Sequence, residues 1–204
     1  MTTSQKITRV IDPTPADSGR ARTQNGWIDY HNKERKATMS ASDVYSAPDS
    51  ILRSLREDCK KSWLVTGTRI SYNPADLSAK IIHDFGSTVV KPKETSLVVP
   101  VYRDEQVTKA AEGEGLIYLQ TLFDTEDNAS SLIGRLERIS EKEAKDIRIW
   151  TPDQDSRREY SERAVGFGCI DGRFLVDGYS WFGGIIVGQA RGVSVKSADK
   201  EKTK

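Results

Sequence analysis

Between Ser46 and Ser62 the apolar residues Ile51, Leu52, Leu55 and Cys59 alternate with charged groups at spacings of three and four. That period gathers them on one face of a helix. Ser46 is a candidate N-cap, Pro48 suits a first turn, and Asp49 complements the dipole at a helix N-terminus. Directly afterwards Trp63 to Tyr72, WLVTGTRISY, is β-branched and roughly alternating, which predicts a strand joined to the helix by a short turn.

Further along, Asn73-Pro74-Ala75-Asp76 could open a helix running through Ile81 and Ile82 to Gly86, yet KIIHDFGSTVV equally suits a pair of short strands. Ser96 to Arg103 reads as a strand that Pro100 restricts to an edge or a bulge. Gly115 to Phe123 reads as a buried element of either type. From Asp127, Leu132, Ile133, Leu136 and Ile139 fall at helical spacing, and Ser140 to Glu143 matches a capping box for a second short helix. From Ile147 to Val195 the chain is rich in glycine, aromatic and β-branched residues, which predicts short strands joined by long loops. The fold class expected is α+β, with helices in the first two thirds and an irregular, loop-rich β region at the C-terminus.

The ends differ from this pattern. Residues 1–43 mix Thr, Ser, Asp, Pro, Arg and Lys without periodicity and read as a flexible arm, of which only NGWIDYHN is expected to dock. Residues 196–204 read as a solvated tail. A single domain over 44–195 is expected, in line with usual domain sizes.

Charge narrows the function classes. The 204 residues carry 31 basic and 30 acidic side chains, net +1, so there is no strong field to attract nucleic acid. The apolar runs Ser96 to Val101 and Gly184 to Val187 are too short to span a bilayer, and the N-terminus lacks a signal-peptide core. A cytoplasmic or virion-associated protein is expected. Cys59, placed on a helix, and Cys169, placed in a loop, make a poor structural disulfide, and His31 and His83 stand apart from them, so no metal and no cofactor are expected.

Candidate chemistry thins out on inspection. GYSWF supplies Gly178 and Ser180 of a nucleophile elbow but has Phe182 in place of the second glycine. EGEGLIY lacks the third glycine of a phosphate cradle and reads as a turn. DTEDNASS lacks the glycine and the terminal glutamate of a calcium loop and reads as a helix cap. TPDQDSRREYSER sets Asp153 and Asp155 among Arg157, Arg158 and Arg163, a pattern typical of solvated ion pairs.

One stretch stands out: AVGFGCIDGRFLVDGYSWFGGIIVGQARGVSV, Ala164 to Val195. Phe167, Phe174, Trp181 and Phe182 could fill a core while the glycines supply turns. Gly168-Cys169-Ile170 and Gly184-Ile185-Ile186-Val187 fit strand alternation less well and read as loop fillings.

With IRIWTPDQDSRREYSER before it, this stretch resembles the variable proteins of diversity-generating retroelements. That resemblance covers roughly the last quarter of the chain and implies a C-type-lectin-like fold with a variable region at about 163–195. In the family, a reverse transcriptase miscopies adenines, so that asparagine codons diversify. Cys169, Ile170, Leu175, Tyr179, Ser180, Gly184, Ile185, Ile186 and Val187 are residue types such codons reach, whereas Trp181 and Gln189 are not, and with Gly168 these nine make up the implied variable positions. The implied scaffold is Gly166, Phe167, Gly172, Phe174, Gly178, Trp181, Phe182, Gly188 and Ala190 to Val193. The implied function is binding of a protein or other macromolecular ligand through the ten variable positions, with no catalysis. The chain departs from the family in having no strong GGSW-type signature and no arginine-then-aliphatic terminal strand beyond ARGVSV, and calcium or sugar chemistry is not implied.

Two other classes compete with binding. A small enzyme would set a pocket beside Trp181, using Asp171 or Asp177 with Arg163 or Arg191. A structural assembly subunit would bury Ile185 to Val187 between identical chains.

Overall fold

A computed structural model of the chain describes residues 7–73, 76–99, 105–151, 161–180 and 188–197, with backbone alone at Ile7, Ser161, Tyr179, Ser180 and Ser197. In chain order the elements are β1 (Ile7–Ile11), α1 (Gln24–Lys33), β2 (Ala37–Thr38), α2 (Ala41–Ser46), α3 (Asp49–Lys61), β3 (Leu64–Asn73), β4 (Ser78–His83) and β5 (Lys93–Val98). There follow β6 (Glu105–Gln106), α4 (Val107–Ala110), α5 (Glu114–Phe123), α6 (Ala129–Ser140), β7 (Ile147–Ile149), β8 (Ser161–Ile170), β9 (Arg173–Ser180) and β10 (Gly192–Ser197). The fold is mixed α+β with a curled sheet.

Seven strands form the main sheet in the order β5-β4-β3-β8-β9-β7-β6, and β1-β10-β2 form a smaller one. All pairings are antiparallel except β7 with β9. Strand alternation gives the main sheet two faces. On one, Ile70, Ile81, Phe167, Phe174 and Val176 join Leu52 and Leu55 of α3, Leu119 and Phe123 of α5, and Leu136 of α6 in a single core. On the other, Val65 meets Trp27 of α1 and Ala190 in a second, small cluster.

Several elements follow from sequence as expected. The stripe of α3 is buried at Leu52, Leu55 and Cys59. The strand after it is β3, and the acidic run before α6 ends in Asn128, whose side chain accepts from the Ser131 amide as an N-cap. The ambiguous segment around Ile81 is strand, because β3 offers it a partner from Asn73↔Ser78 to Arg69↔Ile82. Gly115–Phe123 lies in helix α5. Strand β5 lies at the sheet edge, and Pro100 falls outside the described residues.

Other expectations are corrected. Residues 7–43 are not an arm: β1 pairs with β10 along Ile7↔Ser197 to Ile11↔Val193, and α1 buries Trp27 completely. Pairing joins the two ends of the described chain, and buried Ile28, Ala37, Met39 and Ala41 hold the segment together with Trp27. The expected domain start at Val44 falls inside α2, whose capping box is Ser40 with Asp43. Ser46 ends α2 instead of starting α3, and the N-cap of α3 is Pro48. Ser140 closes α6 by donating to the Leu136 carbonyl, and only a 3-10 turn, Ala144–Asp146, follows. The expected tail begins inside β10, which runs to Ser197. Between 161 and 180 the chain forms two long strands where short strands and long loops were expected. Among the described residues no helix is long and apolar enough to cross a membrane.

Candidate functional site

Strands β8 and β9 pair without interruption from Arg163↔Ser180 to Ile170↔Arg173. They are joined by Asp171 and Gly172, with φ of 49° and 78°. A two-residue turn with positive φ at both positions matches the right-handed twist of the strands, and Asp-Gly is a pair that tolerates it. This IDGRF signal was available in the sequence and would have located the hairpin.

The register sorts the expected variable residues. Val165, Phe167, Phe174 and Val176 are buried on the core face. Gly168, Ile170, Leu175 and the backbone position of Tyr179 alternate with them and belong to the outer face. Ile170 is 46% exposed and Leu175 half-buried. Cys169 and the backbone position of Ser180 fall on the core-facing register, and Cys169 packs against the main core. Gly168-Cys169-Ile170 is therefore regular strand and not a loop filling, and two of the expected surface positions are not on the outer face. Gly184, Ile185, Ile186 and Val187, together with Trp181, lie outside the described residues, as do Asp153, Asp155, Arg157 and Arg158.

Aromatic rings fix the hairpin and its continuation at glycines. Trp63 rests on Gly168, where an added Cβ would come within 2.8 Å of the indole. Trp150 occupies the space a side chain at Gly178 would need. Trp27 donates its Nε1–H to the Gly188 carbonyl at 2.7 Å. The Arg163 guanidinium stacks 4.8 Å from the Trp150 ring centroid.

The enzyme candidates do not converge. Arg191 is 1% exposed at its side chain and bound to Asp58, and it also donates to the Asp12 and Pro13 carbonyls. Arg163 belongs to the core face and Asp177 to the outer face, while Asp171 is spent on the turn. Among the described residues no group of three or more His, Cys, Asp or Glu side chains is placed to hold a metal ion.

A groove of about 660 Å³ lies between α2 and the region after α5, walled by Arg9, Asp43, Tyr45, Asp127 and Arg135. Its polar groups satisfy one another. Arg9 bridges Asp43 at 2.6 Å and Asp84 at 2.8 Å, the Tyr45 hydroxyl donates to Asp127 at 2.6 Å, and Arg135 donates to the Tyr45 carbonyl at 2.7 Å. Burial, then Asp127, push the Tyr45 phenol above its ordinary range, and burial pushes the Asp84 carboxyl up against the pull of Arg9. Such a closed network reads as a structural wall.

A further feature is the hairpin tip, where Lys60, Lys61, Ser62 and Trp63 at the end of α3 face Gly168 to Ile170 across a cavity of about 120 Å³. Lys60 and Lys61 were not candidates from sequence, because nothing in a helix C-terminus announces which strand end it will meet. Comparison of the chain with known protein families, with curated proteins and with solved structures finds no match.

Proposed function

We propose that the chain is a ligand-binding protein of C-type-lectin-like build whose C-terminal surface is diversified through adenine-directed mutagenic reverse transcription. Its ligand is a protein or other macromolecule, and its place is the cytoplasm or the virion. The observation that carries this reading is the division of the β8–β9 hairpin into two faces. Phe167, Phe174 and Val176 anchor one face in the core, while Ile170, Leu175 and the backbone position of Tyr179 belong to the other and Gly168 is covered there by Trp63. Outer-face side chains can then change without disturbing what holds the strands, the condition a variable binding surface needs. An exposed aliphatic side chain such as Ile170 on that face suits contact with a partner.

The test is to sequence the 3′ end of the gene across a population, with its flanking DNA. Substitutions are expected at Ile170, Leu175, Tyr179 and the 184–187 codons, with Phe167, Gly168, Gly172, Phe174, Val176 and Gly178 unchanged, since Trp63 and Trp150 leave no room for a side chain at Gly168 and Gly178. A near-copy of the 163–195 coding stretch beside a reverse transcriptase is expected nearby. One fixed sequence and no such copy overturns the reading.

A further inference from the structure

Strand β3 begins at Leu64, opposite Phe167, so the last three residues of β8 run past it. The end of α3 stands beside them instead. The resulting cavity of about 120 Å³ is walled by Lys61, Ser62 and Trp63 on one side and Gly168, Cys169 and Ile170 on the other. Ile170, at 46% exposure, forms its apolar lip, and Arg173 stands directly opposite Ile170 on the same face.

Charge collects around this lip although the chain as a whole is near neutral. Exposed Lys61 and Arg173 and half-buried Lys142 form none of the ion pairs found among the described residues, whereas Lys60 is held by Glu57 and Glu141 by Arg56. Lys142 and Lys60 lie close enough to the Cys169 sulfur to act on it electrostatically. An aliphatic centre within a collar of unpaired cations is complementary to an aliphatic side chain flanked by carboxylates, which arginine and lysine bind through charge-assisted hydrogen bonds.

We propose that the hairpin tip, with Ile170 at its centre and Lys61, Lys142 and Arg173 around it, docks an acidic protein segment that packs one aliphatic side chain against Ile170. This rests on the outer face being a binding surface and names the chemistry of its partner. The collar comes from α3, the α6 end and Arg173, outside the variable positions, so it supplies a constant acidic preference while Ile170 tunes the fit. Nucleic acid is disfavoured, because three free cations give a weak field and the Trp63 ring is already seated on Gly168.

A displayed library of short random peptides, selected against the full chain, tests this. The selected peptides are expected to carry Asp or Glu on both sides of an aliphatic residue. The Lys61→Glu, Arg173→Glu double variant, folded by circular dichroism, is expected to weaken a selected peptide about tenfold, with Lys33→Glu as an unaffected control. Selected peptides without acidic enrichment, undiminished binding to the double variant, or displacement of the peptide by single-stranded DNA would each overturn the proposal. A gene found invariant across the population would remove the diversification reading and leave this measurement standing. A variable gene with failed selection would remove only the docking surface.

Discussion

Trp150 packs directly over Gly178, so that a Cβ on the glycine would overlap Cε3 and Cζ3 of the indole. Gly178→Ala must move either the ring or strand β9, and the loss expected from such overpacking is about 2 kcal/mol in urea unfolding. Ile170→Asn, on the outer face of the same hairpin, is expected to stay within about 0.5 kcal/mol of the parent. Equal losses from the two would sink the division of the hairpin into a core face and an outer face.

Arg191 and Asp58 form a buried ion pair, at 1% and 8% side-chain exposure, that ties the residue just before β10 to α3. Removing one partner strands the other charge away from water. Arg191→Met is expected to lower stability by about 3–5 kcal/mol, and adding Asp58→Leu to restore a good part of it. Unfolding curves of the single and double variants measure both. A single variant as stable as the parent would show that the pair is not structural.

His31 is stacked on Trp27, bonded through Nδ1 to the Thr38 hydroxyl at 3.0 Å, and has no hydrogen-bond partner at Nε2 among the described residues. Burial, reinforced by Lys36 and opposed by Asp12, lowers its pKa from 6.5 to about 4. The unfolded chain therefore binds a proton more readily than the folded one between those values. Stability from this group is complete above pH 6.5 and falls as pH drops toward 4, by up to roughly 3 kcal/mol. His83 shifts in the same direction through burial. His31→Phe should flatten the unfolding profile between pH 4 and 6.5 by most of that amount; an unchanged slope would assign the acid sensitivity elsewhere.

The two thiols should differ in reactivity. Burial, then the neighbouring Cys169 and Asp58, drive the Cys59 thiol far above its ordinary pKa. Cys169 is also raised by burial, against Lys142 and Lys60, but it is only half-buried. An aromatic disulfide reagent at mildly alkaline pH is expected to label one thiol per native chain, and Cys169→Ser to abolish that phase. The second thiol should react only on unfolding. Rapid labelling of both would mean that α3 does not cover Cys59 as described.

Much of the helical layer was legible because its information is local. The spacing of Leu52, Leu55 and Cys59, and of Leu132, Leu136 and Ile139, requires only the helical repeat, and the same residues prove to be buried. Exact starts were less legible. Ser46 and Ser140 look like N-caps by type, yet each ends a helix, since a serine hydroxyl serves a carbonyl one turn back as readily as an amide ahead.

By itself, then, the sequence determined the mixed α+β class, the amphipathic helices and the strand after Trp63, all of which follow from the repeat of neighbouring side chains. Only the tertiary structure decided that Ile7–Ile11 is a strand, because its stability comes from β10 at the far end of the chain. The same holds for the candidate site. Whether Gly168, Cys169 and Ile170 are loop or strand, and which of them faces the core, depends on pairing with residues 173–175 and on the rings of Trp63 and Trp150. The collar of Lys61, Lys142 and Arg173 arises from three separate elements. No local period encodes such long-range contacts, since each exists only when the chain is closed upon itself.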